Sequence, residues 1–295
     1  MTSGAKVSQR KILAADLALL GVTLIWGLTF PVVKDALRQA SPLLFNAVRM
    51  SVAGALLAAL FRPRWRRLPG ATWGAGAALG LFLAAGYALQ TAGLQWAPPA
   101  VSAFLTSFSV ILVPVLLALV WRRRLGWTAW LGAALALLGL YLLVGGGGGG
   151  PALGVGLTLG CAVAFALQII LQGEWAPHIP FGDLAALQIV FAALFTWMAV
   201  PLVERATWHN TPGLWLAVGL TAVLATALAF SVQAWAQQFT PATHTAVVFA
   251  FEPVFAWLAS VIGWHERLRG PQLAGAGLIV AAMLVVERGR NTVQS

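Results

Sequence analysis

Charged residues are scarce in this sequence, and cysteine is scarcer still. Of its 295 residues only 9% are charged and 60% are hydrophobic, whereas a soluble domain carries roughly 25% charged residues. This composition excludes an ordinary water-soluble fold. The single cysteine, Cys161, excludes an internal disulfide framework and a thiolate metal site. The four histidines are scattered without ligand spacing, so we expect neither a metal nor a cofactor.

The sequence also lacks the motifs of common enzyme classes. It contains no HExxH motif, no G-x-S-x-G elbow and no P-loop, and we therefore expect no enzymatic activity. The net charge of +10 is typical of nucleic-acid binding, but here the basic residues lie in short clusters between apolar runs, as membrane topology signals do. We therefore expect a lipid bilayer around the chain and no nucleic-acid partner.

Long runs without charge are the main feature that is present. Residues 68–121, 125–173 and 206–251 contain no Asp, Glu, Lys or Arg. Because one crossing of a bilayer takes about 20 apolar residues, each run is long enough for two crossings. The pattern predicts an all-α integral membrane protein with ten transmembrane helices. Their expected bounds are Ala14–Val33, Pro42–Phe61, Thr72–Leu94, Pro98–Trp121, Trp127–Val144, Ala152–Gln172, Asp183–Val203, Gly213–Gln237, Pro241–Trp264 and Pro271–Glu287.

The second half of the chain repeats the first when Gln90 is aligned with Gln233. Without any gap, this repeat alignment also matches Pro98 with Pro241 and Trp121 with Trp264. Duplicated halves are typical of transporters that alternate access around a central site. The sequence therefore predicts a five-helix repeat over 12–144, a Gly-rich linker over 145–151 and a second repeat over 152–287, between tails at 1–11 and 288–295.

Lysine and arginine residues predict the orientation of the chain. With the N-terminus in the cytoplasm, the inner segments hold 12 of these residues and the outer loops hold 5, as the positive-inside rule requires. We therefore expect both termini in the cytoplasm. Five helices per repeat is an odd number, so the second repeat is inserted upside down. The abundance of Ala, Gly, Leu and Arg indicates a GC-rich bacterial genome and hence a bacterial cytoplasmic membrane.

Four short motifs stand at particular places in the predicted helices. They are Trp26-Gly27, Asn46-Ala47-Val48-Arg49, Phe251-Glu252-Pro253 and the segment Gly263–Leu268. Together with ten helices in two inverted units, they resemble the EamA family of the drug/metabolite transporter superfamily. The resemblance implies a secondary transporter, often an exporter of amino acids or other small metabolites. The first repeat departs from the pattern, because Arg123 stands where the second repeat has Glu266.

Glu252 is the sharpest functional candidate. It lies about ten residues into the ninth predicted helix, near the midplane of the bilayer. A carboxyl group at that depth is costly, so it either couples transport to protons or holds helices together through a buried partner. Pro253 frees the carbonyl of Phe249, and Pro114 frees that of Val110 in the fourth helix. Interrupted helices at related positions of two halves point to a central site.

Two further groups are candidates beside Glu252. Arg49 is the other charge inside a predicted span, where it either binds a substrate carboxylate or forms a structural lock to Glu252, to Asp35 or to a helix C-terminal carbonyl. His244, about two turns before Glu252, either shuttles protons or has a solvated or capping role near the interface.

Polar and aromatic residues form stripes on several predicted helices. In the eighth helix Thr226, Phe230, Gln233 and Gln237 share one face at helical spacing. Such stripes either line a cavity for a small, partly apolar solute or bind helices to one another. The candidate substrate-binding residues are Trp26, Phe30, Tyr87, Gln90, Thr106, Phe165, Gln168, Phe230 and Gln233.

The sequence thus predicts a secondary active transporter of a small-molecule substrate, with protons as candidate coupling ions and Glu252 as their carrier. Two other classes stay open. An uncoupled facilitator would transport without regard to a pH gradient. A membrane scaffold or lipid-handling protein would have a dry, packed interior.

Overall fold

The computed structural model describes residues 9–62, 67–97, 99–144, 152–264 and 270–294. These residues form helices joined by short turns, and the predicted all-α class is confirmed for them. A helix satisfies its own backbone hydrogen bonds, as hydrocarbon surroundings require. The helices are α1 (Gln9–Ala36), α2 (Pro42–Phe61), α3 (Gly70–Leu94), α4 (Pro99–Thr106), α5 (Ser109–Leu119), α6 (Trp127–Val144), α7 (Ala152–Trp175), α8 (Phe181–Val203), α9 (Pro212–Ala222), a π-helical segment (Val223–Leu228), α10 (Ala229–Ala236), α11 (Ala242–Phe249), α12 (Glu252–Trp264) and α13 (Gly270–Gln294).

Seven helical stretches of the described residues are long and apolar enough to cross a membrane, judged by length and composition. Three shorter apolar stretches lie where the fifth, ninth and tenth helices are predicted. Large apolar side chains cover the outside of the bundle, with Leu60, Leu119 and Leu202 each more than 60% exposed. Such a surface is suited to lipid rather than to water.

The fourth and ninth predicted helices are both interrupted, as the prolines in them indicated, although the first break lies more than a turn before Pro114 rather than beside it. The first is interrupted at 107–108 and the second at 250–251, which are equivalent positions in the repeat alignment. At each break the N–H of a phenylalanine, Phe108 or Phe251, donates to the carbonyl three positions earlier, at 3.2 and 3.1 Å. Pro253 explains the second break, because it cannot donate to the carbonyl of Phe249. The first break has no proline at the equivalent position.

Several observed helix boundaries also differ from the predicted ones. The eighth predicted helix contains the π-helical segment, α7 continues to Trp175, and α13 continues past the predicted end at Glu287 to Gln294. Polar residues at a membrane interface extend a helix without any cost of burial, which explains why the apolar pattern stops too early. The predicted linker 145–151, Pro98 and Glu266 lie outside the described residues.

The helices pack in a pattern that relates the two halves. α2 packs on α8, and α6 packs on α13. α3 packs on α7 and α8, while α1 packs on α10 and α12. Glycines permit the closest approaches: a Cβ added at Gly80 would lie 2.8 Å from the carbonyl oxygen of Gln188 in α8.

Glu204, just after α8, caps the start of α2. Its carboxylate accepts hydrogen bonds from the Ser41 hydroxyl at 2.8 Å and from the backbone N–H groups of Leu43 and Leu44 at 3.1 and 2.8 Å. Ser41 itself does not cap the helix with its side chain. The negative charge also suits the N-terminal end of a helix, so Glu204 fixes the end of α8 to the start of α2.

Candidate functional site

A cavity lies at the centre of the bundle, between the two halves. The long helices α1, α3 and α7, the end of α11 and the starts of α5 and α12 all contribute side chains to its wall. The lining residues are Trp26, Thr29, Phe30, Val33, Arg49, Tyr87, Gln90, Leu94, Thr106, Ser107, Ser109, Phe165, Gln168, Ile169, Phe230, Phe249 and Glu252. The cavity therefore combines aromatic, amide and hydroxyl groups with the guanidinium of Arg49 and the carboxyl group of Glu252.

Glu252 is the first residue of α12, directly after the break in the ninth predicted helix. It is 5% exposed and lines the cavity. Among the described residues, no side chain or backbone group donates a hydrogen bond to its carboxylate, and no basic group lies within 4 Å of it. Its counterpart in the repeat alignment, Ser109, is the first residue of α5 and also lines the cavity. The two breaks therefore place equivalent half-helix starts at the same cavity.

Arg49 reaches the cavity from α2 and is 3% exposed. Its Nε donates to the Thr226 hydroxyl at 2.7 Å, and one terminal nitrogen lies 3.3 Å from both the Tyr87 hydroxyl and the Ala225 carbonyl. The guanidinium also lies 4.5 Å from the centre of the Tyr87 ring, within the range of a cation–π contact. Of the predicted partners of a structural lock, Glu252 and Asp35 are wrong, and the carbonyl that Arg49 does contact, that of Ala225, lies within the π-helical segment rather than at the C-terminus of an α-helix.

Two of the three hydrogen-bond partners of Arg49, Ala225 and Thr226, lie in the π-helical segment, which explains why Arg49 does not pair with Glu252 or Asp35. A π-helix leaves carbonyl groups turned away from the regular hydrogen-bonding pattern, and such segments occur often at functional sites. The Ala225 carbonyl accepts hydrogen bonds from both Arg49 and the Trp26 indole N–H, the latter at 2.9 Å. Asp35 is instead exposed and 3.7 Å from Arg38. No apolar pattern in the sequence marks a π-helical segment.

Aromatic rings form one continuous wall of the cavity. The ring centres of Trp26 and Phe249 are 4.9 Å apart, and those of Trp26 and Phe230 are 5.6 Å apart. Tyr87 lies 5.2 Å from Phe165 and 6.1 Å from Phe230, edge to face in both pairs. Such geometry is favourable for aromatic pairs. Four of these rings are predicted site residues, and the structure brings them together.

Gln90 and Thr106 form a polar part of the cavity wall. The Gln90 amide donates to the Thr106 hydroxyl at 3.1 Å, and that hydroxyl lies 3.8 Å from the sulfur of Cys161. Phe30, also predicted, lines the cavity farther along α1. Phe249 also lines the cavity but is not among the predicted residues. It is the counterpart of Thr106 in the repeat alignment, which is the signal in the sequence that marks it.

Gln233 does not line the cavity, contrary to prediction. It belongs to a cluster of five glutamines that are at most 2% exposed: Gln168, Gln172, Gln188, Gln233 and Gln237. We call this set the glutamine cluster. Gln168 is its one member that lines the cavity, and its amide oxygen accepts a hydrogen bond from Gln233 at 3.1 Å.

His244 is also absent from the cavity wall. Its Nε2 lies 3.2 Å from the carboxylate of Asp16, and the Thr240 hydroxyl is 3.3 Å from the same carboxylate oxygen. His244 is 1% exposed and Asp16 is 5% exposed. The expected solvated position near the interface is therefore wrong, because α1 and α11 pack against each other and cover both groups.

Comparison with known proteins places this chain in a family. The model of the EamA-like transporter family matches residues 13–145 and again 152–288. The chain belongs to the EamA-like transporter family. The two matches coincide with the two halves that share the central cavity, and the resemblance drawn from the motifs is confirmed.

Individual relatives support the assignment over nearly the whole chain. An uncharacterized transporter of Archaeoglobus fulgidus is 33% identical over 94% of this chain and 86% of its own length. The uncharacterized transporter YvbV of Bacillus subtilis is 28% identical over 92% of this chain and 90% of its own. The inner membrane transporter YedA of Escherichia coli K12, also uncharacterized, is 26% identical over 95% of this chain and 93% of its own length.

A solved crystal structure has the same fold. It superimposes with a TM-score of 0.77 and covers 96% of this chain and 99% of its own, at 22% identity. At that identity the match supports the fold alone. Together with the apolar helices, the family assignment supports a multi-pass membrane protein of the transporter type.

Proposed function

We propose that this protein is a proton-coupled secondary transporter that exports small metabolites such as amino acids by alternating access. The observation that carries the proposal is Glu252, a buried carboxyl group without an ion-pair partner among the described residues, at the start of a half-helix beside a polar cavity. Ionisable groups inside a membrane protein commonly mark ion pathways.

The proposal includes ten crossings in two inverted repeats, with both termini in the cytoplasm. Supporting it, the first residues of α4, α5 and α6 correspond in the repeat alignment to the first residues of α11, α12 and α13, respectively. Each of two helices also packs on its own counterpart in the other repeat, α2 on α8 and α6 on α13. A two-fold axis between the repeats generates this arrangement. A rocking motion of one repeat against the other would open the cavity to each side in turn.

The cavity chemistry supports a zwitterionic substrate with an apolar part. Arg49 is held in place by Thr226 and Tyr87, and a fixed guanidinium binds carboxylates in two parallel hydrogen bonds. The rings of Trp26 and Phe230 offer an apolar surface beside it. An α-amino acid presents its carboxylate to Arg49 and its side chain to the aromatic wall.

Glu252 supplies the coupling step in this mechanism. When it is ionised, a negative charge stands in a cavity that must close, which is unfavourable in low-dielectric surroundings. When a proton binds, or when the ammonium group of a substrate pairs with the carboxylate, the charge is neutralised and the repeats are free to change position. Release of that proton on the opposite side completes the cycle, so each exported substrate is exchanged for a proton that moves inward.

Transport by purified protein in liposomes tests the proposal. A panel of amino acids is offered while a dye reports the internal pH, and we expect substrate-dependent proton movement that is lost in Glu252→Gln. Glu174→Gln is the matched control, since Glu174 pairs with Arg123 at the exposed end of α7 and should retain coupling. Full coupling in Glu252→Gln would reject the role of Glu252.

The same assay separates the other two classes. Substrate flux without proton movement would identify a facilitator and leave Glu252 with a structural role. A scaffold or lipid-handling protein would move none of the solutes in the panel. Cysteines substituted at Gln90 would then also fail to react with a water-soluble thiol reagent, because the interior would be dry.

A further inference from the structure

The glutamine cluster contains polar atoms that the described part of the chain leaves unpaired. They are Nε2 of Gln172, Nε2 of Gln188 and Oε1 of Gln233. The rest of the cluster is linked by hydrogen bonds, with Gln168 donating to Gln172 at 2.8 Å and to Gln188 at 3.2 Å. Glutamines that served only to hold helices together would be expected to pair their amides, because an unpaired buried amide is costly.

The unpaired glutamines stand at the counterpart positions of cavity-lining residues. A second alignment applies near the start of each half. The two family matches begin at residues 13 and 152, and α2 and α8 begin at residues 42 and 181. The interval is the same in both cases, and it defines which residues of the two halves correspond. With this spacing Val33 corresponds to Gln172 and Arg49 to Gln188. In the repeat alignment, which applies later in each half, Gln90 corresponds to Gln233 and Leu94 to Gln237.

In each of these four pairs only the first-half member lines the cavity. At other equivalent positions both members of the pair line the cavity, as Tyr87 and Phe230 do, and also Ser109 and Glu252. The cavity therefore has a shared centre and a one-sided extension. The extension is lined by Val33 and Leu94 and points toward the end of the bundle where α1 ends. We call this end the Ala36 face.

The glutamine cluster extends from the centre toward the opposite end, the Gln9 face, where α1 begins. α7 runs antiparallel to α3, since a Cβ at Gly86 would meet the ring of Phe165 and one at Gly93 would meet Thr158. Gln172 therefore lies on the side away from Leu94. Gln237 lies close to it, because its amide donates to the Ile169 carbonyl at 2.9 Å.

We propose that the glutamine cluster is the closed lining of a second cavity, which opens to the Gln9 face when the repeats exchange their conformations. The proposal rests on alternating access as proposed above. In that state Gln188 takes the place that Arg49 has now, so an amide replaces the guanidinium. The second cavity thus holds water and uncharged hydrogen-bonding groups, and the substrate carboxylate has no fixed cation on this side.

Cysteine labelling from each face tests the proposal without any substrate. The background is Cys161→Ala, which removes the one native cysteine. Asp35→Cys and Glu174→Cys mark the Ala36 and Gln9 faces, and a membrane-impermeant thiol reagent is applied to intact cells and to inside-out vesicles. Val33→Cys is expected to react from the Ala36 face, and both Gln188→Cys and Gln237→Cys from the Gln9 face.

The expected rates follow from the populations of the two states. A minor state populated at about 1–10% would slow the reaction of the glutamine positions by about 10- to 100-fold relative to Val33→Cys. Leu194→Cys is the control: Leu194 is 49% exposed on the outside of the bundle, where lipid would cover it, and it should stay unlabelled. Reaction of the glutamine positions from the Ala36 face alone, or from neither face while Val33→Cys reacts, would overturn the proposal.

A second measurement uses the unmodified protein, in case glutamine variants do not fold. Backbone amide exchange over residues 229–240 is expected to rise when a substrate or pH gradient drives turnover, because water then reaches α10. No rise there, together with normal transport, would overturn the second cavity and leave the proposed function intact. If the cysteines are labelled from both faces but the liposome assay shows no transport, the second cavity is supported and the proposed function is rejected.

Discussion

Gly27 in α1 lies directly against the Glu252 carbonyl: a Cβ added at Gly27 would be 2.8 Å from that oxygen and 3.0 Å from the Ala256 nitrogen. Real Cβ atoms essentially never approach a carbonyl oxygen this closely. The contact sets the distance between α1 and the start of α12. It therefore fixes the position of the Glu252 carboxyl group in the cavity wall.

Gly27→Ala should consequently displace α12 and impair transport. Overpacking of this kind costs about 1–3 kcal/mol, and we expect a lower unfolding temperature in detergent together with slower substrate-driven proton flux. Gly21→Ala is the matched control on the same helix, because nothing lies within 4 Å of its added Cβ. Equal behaviour of the two variants would refute this role of the contact.

Arg49→Gln should weaken the recognition of carboxylates. The variant removes the cation together with the hydrogen bonds that it donates to the Thr226 hydroxyl and the Ala225 carbonyl, a loss of about 1–3 kcal/mol, although Ala225 keeps the Trp26 indole as a donor. We expect the KM of an amino acid substrate to rise, while an analogue that lacks the carboxylate shows little change. A parallel rise for both compounds would assign Arg49 a structural role only.

Glu204→Ala should destabilise the protein through the start of α2. Loss of a helix cap costs about 0.5–2 kcal/mol, and Glu204 accepts from two backbone N–H groups at that helix end. The unfolding temperature should therefore fall. Glu174→Ala, which breaks a partly exposed ion pair with Arg123, should change stability by less than about 1 kcal/mol.

His244→Gln should leave the substrate affinity unchanged and lower stability. The imidazole lies beside Asp16 and away from the cavity wall, so its loss disturbs the packing of α1 on α11. The KM and the ratio of protons to substrate are expected to match those of the unmodified protein. A change in the ratio of protons to substrate would instead show that His244 takes part in proton coupling.

The sequence predicted the helices well, since charge-free runs and basic clusters report directly on a bilayer. It also predicted most of the cavity wall, because polar and aromatic stripes at helical spacing converge at the bundle centre. Glu252 stood out because a carboxyl group deep in an apolar helix is rare. The proline beside it also marked one of the two helix breaks.

Other features depend on contacts between distant segments. The break at Ser107 has no proline at the position equivalent to Pro253, and nothing in the local sequence marks the π-helical segment that holds Arg49. The burial of His244 depends on the approach of α1. Gln233 was predicted to line the cavity as the counterpart of Gln90, but a single conformation exposes only one member of that pair.

The measurement that tests proton-coupled transport most directly is substrate redistribution under an imposed pH gradient. Liposomes are loaded with equal substrate concentrations inside and outside, so that only the proton gradient can drive net movement. We expect substrate to move against the proton flow and accumulate on the acidic side, and Glu252→Gln to show no accumulation. An unchanged distribution across the gradient, with active exchange of labelled substrate, would contradict proton coupling.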